Sequence, residues 1–203
     1  MHNRGIIGVI LACAIFGTGC QSTQSIAQDT GIASEAAKAF IGKGVELTLP
    51  ASPNFPGEMN AMQTLIARHE DRVQALQAVL SAREDHVNVV TMLANGPRIM
   101  EVDWTAQDML ETRSSFAPEA LSGLNMLADI YLVFWPQKAV QTALPEGVYV
   151  NQEAGLRQIY NDTRQIVEIR YYTKDERGRD HCVLTNFDLG YSLTIYSDAM
   201  TAK

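Results

Sequence analysis

The stretch Leu121–Trp135 reads LSGLNMLADIYLVFW. Leu121, Leu124, Leu127, Ile130, Tyr131 and Phe134 recur near the 3.6-residue helical period, which predicts a helix over Pro118–Trp135. Pro118 suits a helix start and Pro136 stops the run. The segment is apolar nearly all round, and such a helix is buried on more than one side. A curved sheet holding it in its concave face would satisfy that need.

The flanks supply strands. Before the helix, Lys43–Leu49 alternates around Val45, Leu47 and Leu49, and Pro50–Gly57 (PASPNFPG) breaks into a loop. Met59–Arg68, Arg72–Ser81, Val87–Leu93 and Arg98–Trp104 follow, with an Asn95-Gly96 turn signal. Arg72–Ser81 also fits helical spacing and is rich in Ala, Gln and Leu. A strand is preferred there because its neighbours read as a meander. After the helix, Gln137–Ala143 is predicted as a second short helix. Val148–Gln152, Leu156–Tyr160, Gln165–Thr173, Arg179–Phe187 and Tyr191–Ser197 then read as strands. Tyr191, Leu193 and Ile195 oppose Ser192, Thr194 and Tyr196, so these strands have one dry and one wet face. The expected class is α+β: roughly ten antiparallel strands in two meanders, with a helical pair between them.

Composition narrows the function classes. The chain has 203 residues, 46% hydrophobic and 19% charged, and a formal charge of −7. That excludes a multi-pass membrane protein. No Lys/Arg cluster is present to neutralise phosphates, so nucleic acid is not an expected partner.

The N-terminus carries an address. Met1–Arg4 is a short basic segment, Gly5–Phe16 is apolar but too short to span a bilayer, and Gly17-Thr18-Gly19-Cys20 follows. Small residues ahead of a cysteine predict cleavage after Gly19 and lipidation of Cys20. Gly17 stands where lipoproteins usually carry Leu, and the alternative is a secretory signal with an incidental cysteine. Gln21 in place of Asp resembles an outer-membrane address, with the domain facing the periplasm. The expected organisation is a signal peptide over 1–19, a lipidated, flexible tether over 20–39, a domain over 40–198 and a tail over 199–203. Cys13 would leave with the signal, and Cys182 would be a lone buried thiol.

Several short motifs come in a telling order. They are Gly96-Pro97-Arg98-Ile99-Met100-Glu101-Val102-Asp103-Trp104, then Leu121–Pro136 with Leu127-Ala128-Asp129 and Phe134-Trp135-Pro136, then Leu144-Pro145-Glu146-Gly147, Arg157, and Gly190-Tyr191-Ser192-Leu193-Thr194-Ile195. Over residues 40–198 this pattern resembles the LolA/LolB type of lipoprotein-handling fold. It resembles more closely an uncharacterised family of proteobacterial lipoproteins often encoded beside aryl-polyene and related lipid-pathway genes. The resemblance implies an unclosed antiparallel β-barrel with helices as plug or lid, and an apolar cavity for acyl chains. The protruding Leu loop of LolB has no convincing counterpart, and Phe55 is the only nearby candidate.

The candidate cavity takes Leu124, Leu127, Tyr131, Phe134 and Trp135 from the helix. Val89, Met92, Ile99, Val102, Trp104, Ile169, Leu193 and Ile195 would complete its wall. Burying ~16 methylenes is worth ~13 kcal/mol before ordering costs. The alternative is that these residues form an ordinary packed core. Arg98, Asp129 and Arg157 lie close to apolar runs, and a buried carboxylate needs a partner, for which an arginine is the natural choice. They are candidates for a polar latch on the lid or on a lipid headgroup, or else for a structural ion pair. No metal-ligand spacing, nucleophile elbow or phosphate loop is present, so no metal, cofactor or catalytic residue is expected. The expected function is a non-enzymatic, outer-membrane-anchored lipoprotein. It would bind or pass on an acyl, polyene or lipoprotein-lipid ligand, such as palmitate, received from a periplasmic carrier protein. The rival is a structural or assembly lipoprotein whose barrel is filled by its own helix.

Overall fold

The computed structural model describes residues 28–32, 37–94, 96–118 and 121–200. The signal segment, Cys20 and Asn95 lie outside the described residues. Eleven antiparallel strands form one sheet in the order β1-β8-β7-β6-β5-β4-β13-β12-β11-β10-β9. They are β1 (Gln28–Ile32), β4 (Met59–His69), β5 (Arg72–Arg83), β6 (His86–Leu93), β7 (Arg98–Thr105), β8 (Met109–Arg113), β9 (Val148–Glu153), β10 (Leu156–Asn161), β11 (Arg164–Tyr172), β12 (Asp180–Asn186) and β13 (Tyr191–Ala199). β2 (Lys38–Gly42) and β3 (Val45–Thr48) make a separate hairpin. Two helices, α1 (Gly123–Phe134) and α2 (Gln137–Ala143), sit between the two meanders. The sheet is not closed: β1 and β9 are its edges.

Side-chain parity decides which face is dry. Leu65 lies opposite Leu76 on one side and Ile195 on the other, and Ile195 lies opposite Cys182. Leu80, Val89 and Val102 form a parallel row. All of these are buried. The joint between the meanders is the pairing of β13 with β4, so the last strand closes onto the first long hairpin.

The sheet must curl around α1. A helix of 12 residues is ~18 Å long. In the strand order β8 and β10 are ~38 Å apart along a flat sheet, at ~4.8 Å per step. Yet Gly123 at one end of α1 binds Glu111 on β8, and Leu132 near the other end binds Arg157 on β10. Only a trough brings both walls to one helix. The β2–β3 hairpin also packs on α1 and is tied to the sheet by Asn186 Nδ2 donating to the Ile41 carbonyl at 2.9 Å.

Several expectations need correction. Gln28–Ile32, expected within a flexible tether, pairs with β8 in register. Backbone hydrogen bonds to an open edge suffice for this, and they ask nothing of a polar side-chain pattern. Lys38–Gly42 is likewise a strand and belongs to the folded part. The helix starts five residues later than Pro118, because Ser122 caps it and Arg113 holds the carbonyls of Pro118 and Leu121 outside it. Arg72–Arg83 is a strand as preferred, since eleven register pairs with β4 override its helical composition.

Candidate functional site

The trough is filled by α1 and an aromatic cluster at its C-terminal end. Leu127, Ala128, Tyr131, Leu132 and Trp135 are almost completely buried. Trp135 stacks on Trp104 of β7 with centroids 5.9 Å apart and meets Phe55 edge-on at 5.0 Å. Tyr131 lies 4.7 Å from Trp135. A buried indole N–H needs an acceptor, and Trp135 Nε1 donates to the Pro53 carbonyl at 2.8 Å. The Pro-rich loop is thus pinned to the helix end. Phe55, the expected candidate for a protruding membrane residue, is instead inside this cluster and only 6% exposed.

Most of the expected cavity residues do meet. Val89, Ile99, Val102, Trp104, Leu127, Tyr131, Trp135, Ile169 and Ile195 belong to one continuous buried cluster. Leu124, Phe134 and Leu193 are partly buried against it. Met92 does not share this wall. It alternates with Val89 and Thr91 and sits opposite Gln77 on the other face of the sheet. The side chains expected to line a space therefore pack on one another around the helix.

Polar groups fasten the helix. Glu111 accepts from the Gly123 N–H at 2.9 Å, at the positive end of α1 where a carboxylate is favoured. At the other end, the last carbonyls of a helix lack intrahelical partners. Arg157 donates to the Leu132 carbonyl, and Tyr171 Oη donates to the Val133 carbonyl at 2.8 Å. Arg157 also donates through Nε to Gln152 Oε1 at 2.6 Å. Burial pulls the Arg157 guanidinium below its ordinary range, opposed by the nearby Tyr171 phenol. Burial pushes the Tyr171 phenol up to about 12.

Asp129 is held from the middle of α1 by Tyr191 Oη, which donates to Oδ1 at 2.7 Å. The residue as a whole is only part-buried. Crowding around its carboxyl nevertheless raises it to about 7, against a lowering by the Tyr191 hydrogen bond. The same burial, with the Asp129 charge beside it, raises the Tyr191 phenol far above its ordinary range. The expected latch of Arg98, Asp129 and Arg157 is not one constellation. Arg98 is exposed and pairs with Glu101, Asp129 takes a tyrosine, and Arg157 caps a helix. The tyrosines were legible: Tyr191 shares parity with Leu193 and Ile195, and a phenol on a dry face must find a partner.

A cleft of about 670 Å³ lies elsewhere, between the Pro-rich loop and the β5–β6 turn, lined by Asn54, Phe55, Glu58, Arg83, Glu84 and Asp85. Its charged rim does not suit a hydrocarbon chain. Among the described residues no group of three or more His, Cys, Asp or Glu could hold a metal ion, and no helix is long and apolar enough to cross a membrane.

The fold and site define an open antiparallel sheet with a helix as its filling. The chain belongs to the DUF3261 family, described as proteins of unknown function, whose model matches residues 60–199. That match spans all strands from β4 to β13 and both helices, and leaves out β1 and the β2–β3 hairpin. No curated protein matches the chain.

Proposed function

We propose that this protein is a lipoprotein, anchored through Cys20 in the outer membrane with its domain in the periplasm. Its open sheet receives a hydrophobic chain in place of α1. The chain belongs to an acyl lipid, a polyene lipid or the lipid of another lipoprotein, and a periplasmic carrier delivers it. In this reading the fold is of the LolA/LolB type and the work is exchange without bond making.

One observation carries the reading: a helix with an apolar surface lies in an apolar trough and is fastened at its end by hydrogen bonds to its own terminal carbonyls. Its contacts with the trough are non-directional, so a saturated chain can replace them at similar free energy per area. The polar clasps supply the direction and can be released one by one. When α1 and ligand compete for the same surface, net affinity is the difference between two large terms. That suits a protein that must release what it binds.

The dense packing of Leu127, Trp104 and Trp135 favours a second reading, an assembly lipoprotein whose sheet is permanently filled and which acts through its outer surface. cis-Parinaric acid separates the two, because it absorbs where Trp104 and Trp135 emit. Under the first reading, energy transfer saturates near one probe per chain. It strengthens several-fold in Tyr171→Phe, which lacks one clasp. Transfer that is absent or non-saturable in both proteins would overturn the first reading.

A further inference from the structure

We propose that the end of the sheet at which β1 begins lies on the bilayer, and that Val73, Phe116 and Phe187 enter its acyl region. The proposal rests on the Cys20 anchor inferred above. Strand directions define the end. Gln28 pairs with Arg113, so the chain enters the sheet where β8 finishes. The β4–β5 turn is at the same end, because His69 and Arg72 pair there, and Tyr191 pairs with His69 to place the β12–β13 turn beside it. The loop from β8 to α1 leaves from this end too.

The three most exposed apolar side chains at this end sit on the start of β5, the β8–α1 loop and the β12–β13 turn, while Tyr172 and Met200 lie at the opposite end. Val73 and Phe116 are each 64% exposed and Phe187 is 52% exposed. Single exposed hydrophobics need no explanation. Three at the end where the tether joins fit the way peripheral proteins seat apolar side chains at a headgroup boundary. Cys20 precedes Gln28 by eight positions, a reach of at most ~28 Å. A lipid on Cys20 therefore keeps this end close to the surface.

Charge orients the domain in the same sense. Lys43, Arg68, Arg72 and Arg164 sit at this end, set against Glu70, Asp71, Asp162 and Asp188. The opposite end carries acidic side chains in excess, Glu58, Glu84, Asp85, Asp108, Glu176 and Asp198 among them, partly offset by Arg83, Lys174, Arg177 and Arg179. An anionic leaflet repels that acidic end and accepts the mixed one.

The test uses the full lipidated chain in vesicles of phosphatidylethanolamine and phosphatidylglycerol with brominated acyl chains, which quench tryptophan on contact. Trp104 and Trp135 are each 2% exposed and give a constant background. Phe116→Trp and Phe187→Trp report the proposed face, and Tyr172→Trp, at the opposite end of β11, is the control. The expected result is at least twofold quenching of the added emission at 116 and 187 and none at 172. A protein that floats with the vesicles but shows equal quenching at all three sites overturns the docking face and leaves the anchor standing. A protein that does not float overturns the anchor and the docking face together.

Discussion

Tyr191, the first residue of β13, donates its hydroxyl to Asp129 in the middle of α1 at 2.7 Å. This bond joins the C-terminal meander to the helix that fills the trough. It also sets a sign for pH dependence. The Asp129 carboxyl titrates near 7 in the fold, against an ordinary 3.8. Between those values the folded protein holds a proton that the unfolded chain has released. The contribution is therefore greatest below about pH 4 and is lost as pH rises through 7. Asp129→Asn lacks the titration. Urea unfolding at pH 4.5 and 7.5 should show the wild type losing stability relative to Asp129→Asn as pH rises. Parallel profiles would refute this.

Gly123 leaves no room for a side chain between the start of α1 and the sheet. A Cβ there would stand 2.6 Å from Glu111 Oε2 and 2.6 Å from Val102 Cγ2. Val102 is fully buried and cannot move aside. Gly123→Ala should cost about 1–3 kcal/mol, in spite of alanine's better helix propensity. The midpoint of urea unfolding measures it, and an unchanged or raised midpoint would be the contrary result.

Phe55 bridges the Pro-rich loop and the end of α1 through Trp135. Phe55→Ala should cost about 3–5 kcal/mol. It should also change the near-ultraviolet circular dichroism, because the stacked pair Trp104 and Trp135 loses its edge contact. Loss of stability with an unaltered aromatic spectrum would place the damage outside this cluster.

Cys182 is buried on β12, and burial pushes its thiol up to about 12. A thiol reagent at pH 8 should leave the folded protein untouched and modify one group per mature chain in urea, since the thiolate is the reactive form. Two modified groups would mean that Cys20 is free, which contradicts the lipid anchor.

Much of the fold is legible where burial is one-sided and regular. The alternation in Tyr191–Ser197 identifies β13, and α2 falls on Gln137–Ala143 as expected. β1 escapes because an edge strand needs only backbone pairing, and β8 because it is short and Met109 is its one buried side chain. The start of α1 is misplaced because Pro118 reads as a helix opener, while Arg113 and Ser122, distant in role and unremarkable in sequence, set the boundary. At the site, the apolar set is readable because burial follows hydrophobicity. Its fastenings are less so, since the bonds by which Arg157, Tyr171 and Trp135 join helix, sheet and loop end on backbone carbonyls that any residue could supply.

Exchange of α1 for a hydrophobic chain is tested most directly by native mass spectrometry of the protein extracted from its own envelope, with the released lipids identified. The expected result is one non-covalent acyl or polyene chain per molecule, beyond any lipid on Cys20, displaced by added palmitate. A mass carrying covalent lipid alone, unmoved by palmitate or cis-parinaric acid, would contradict exchange and leave a sheet permanently filled by its own helix.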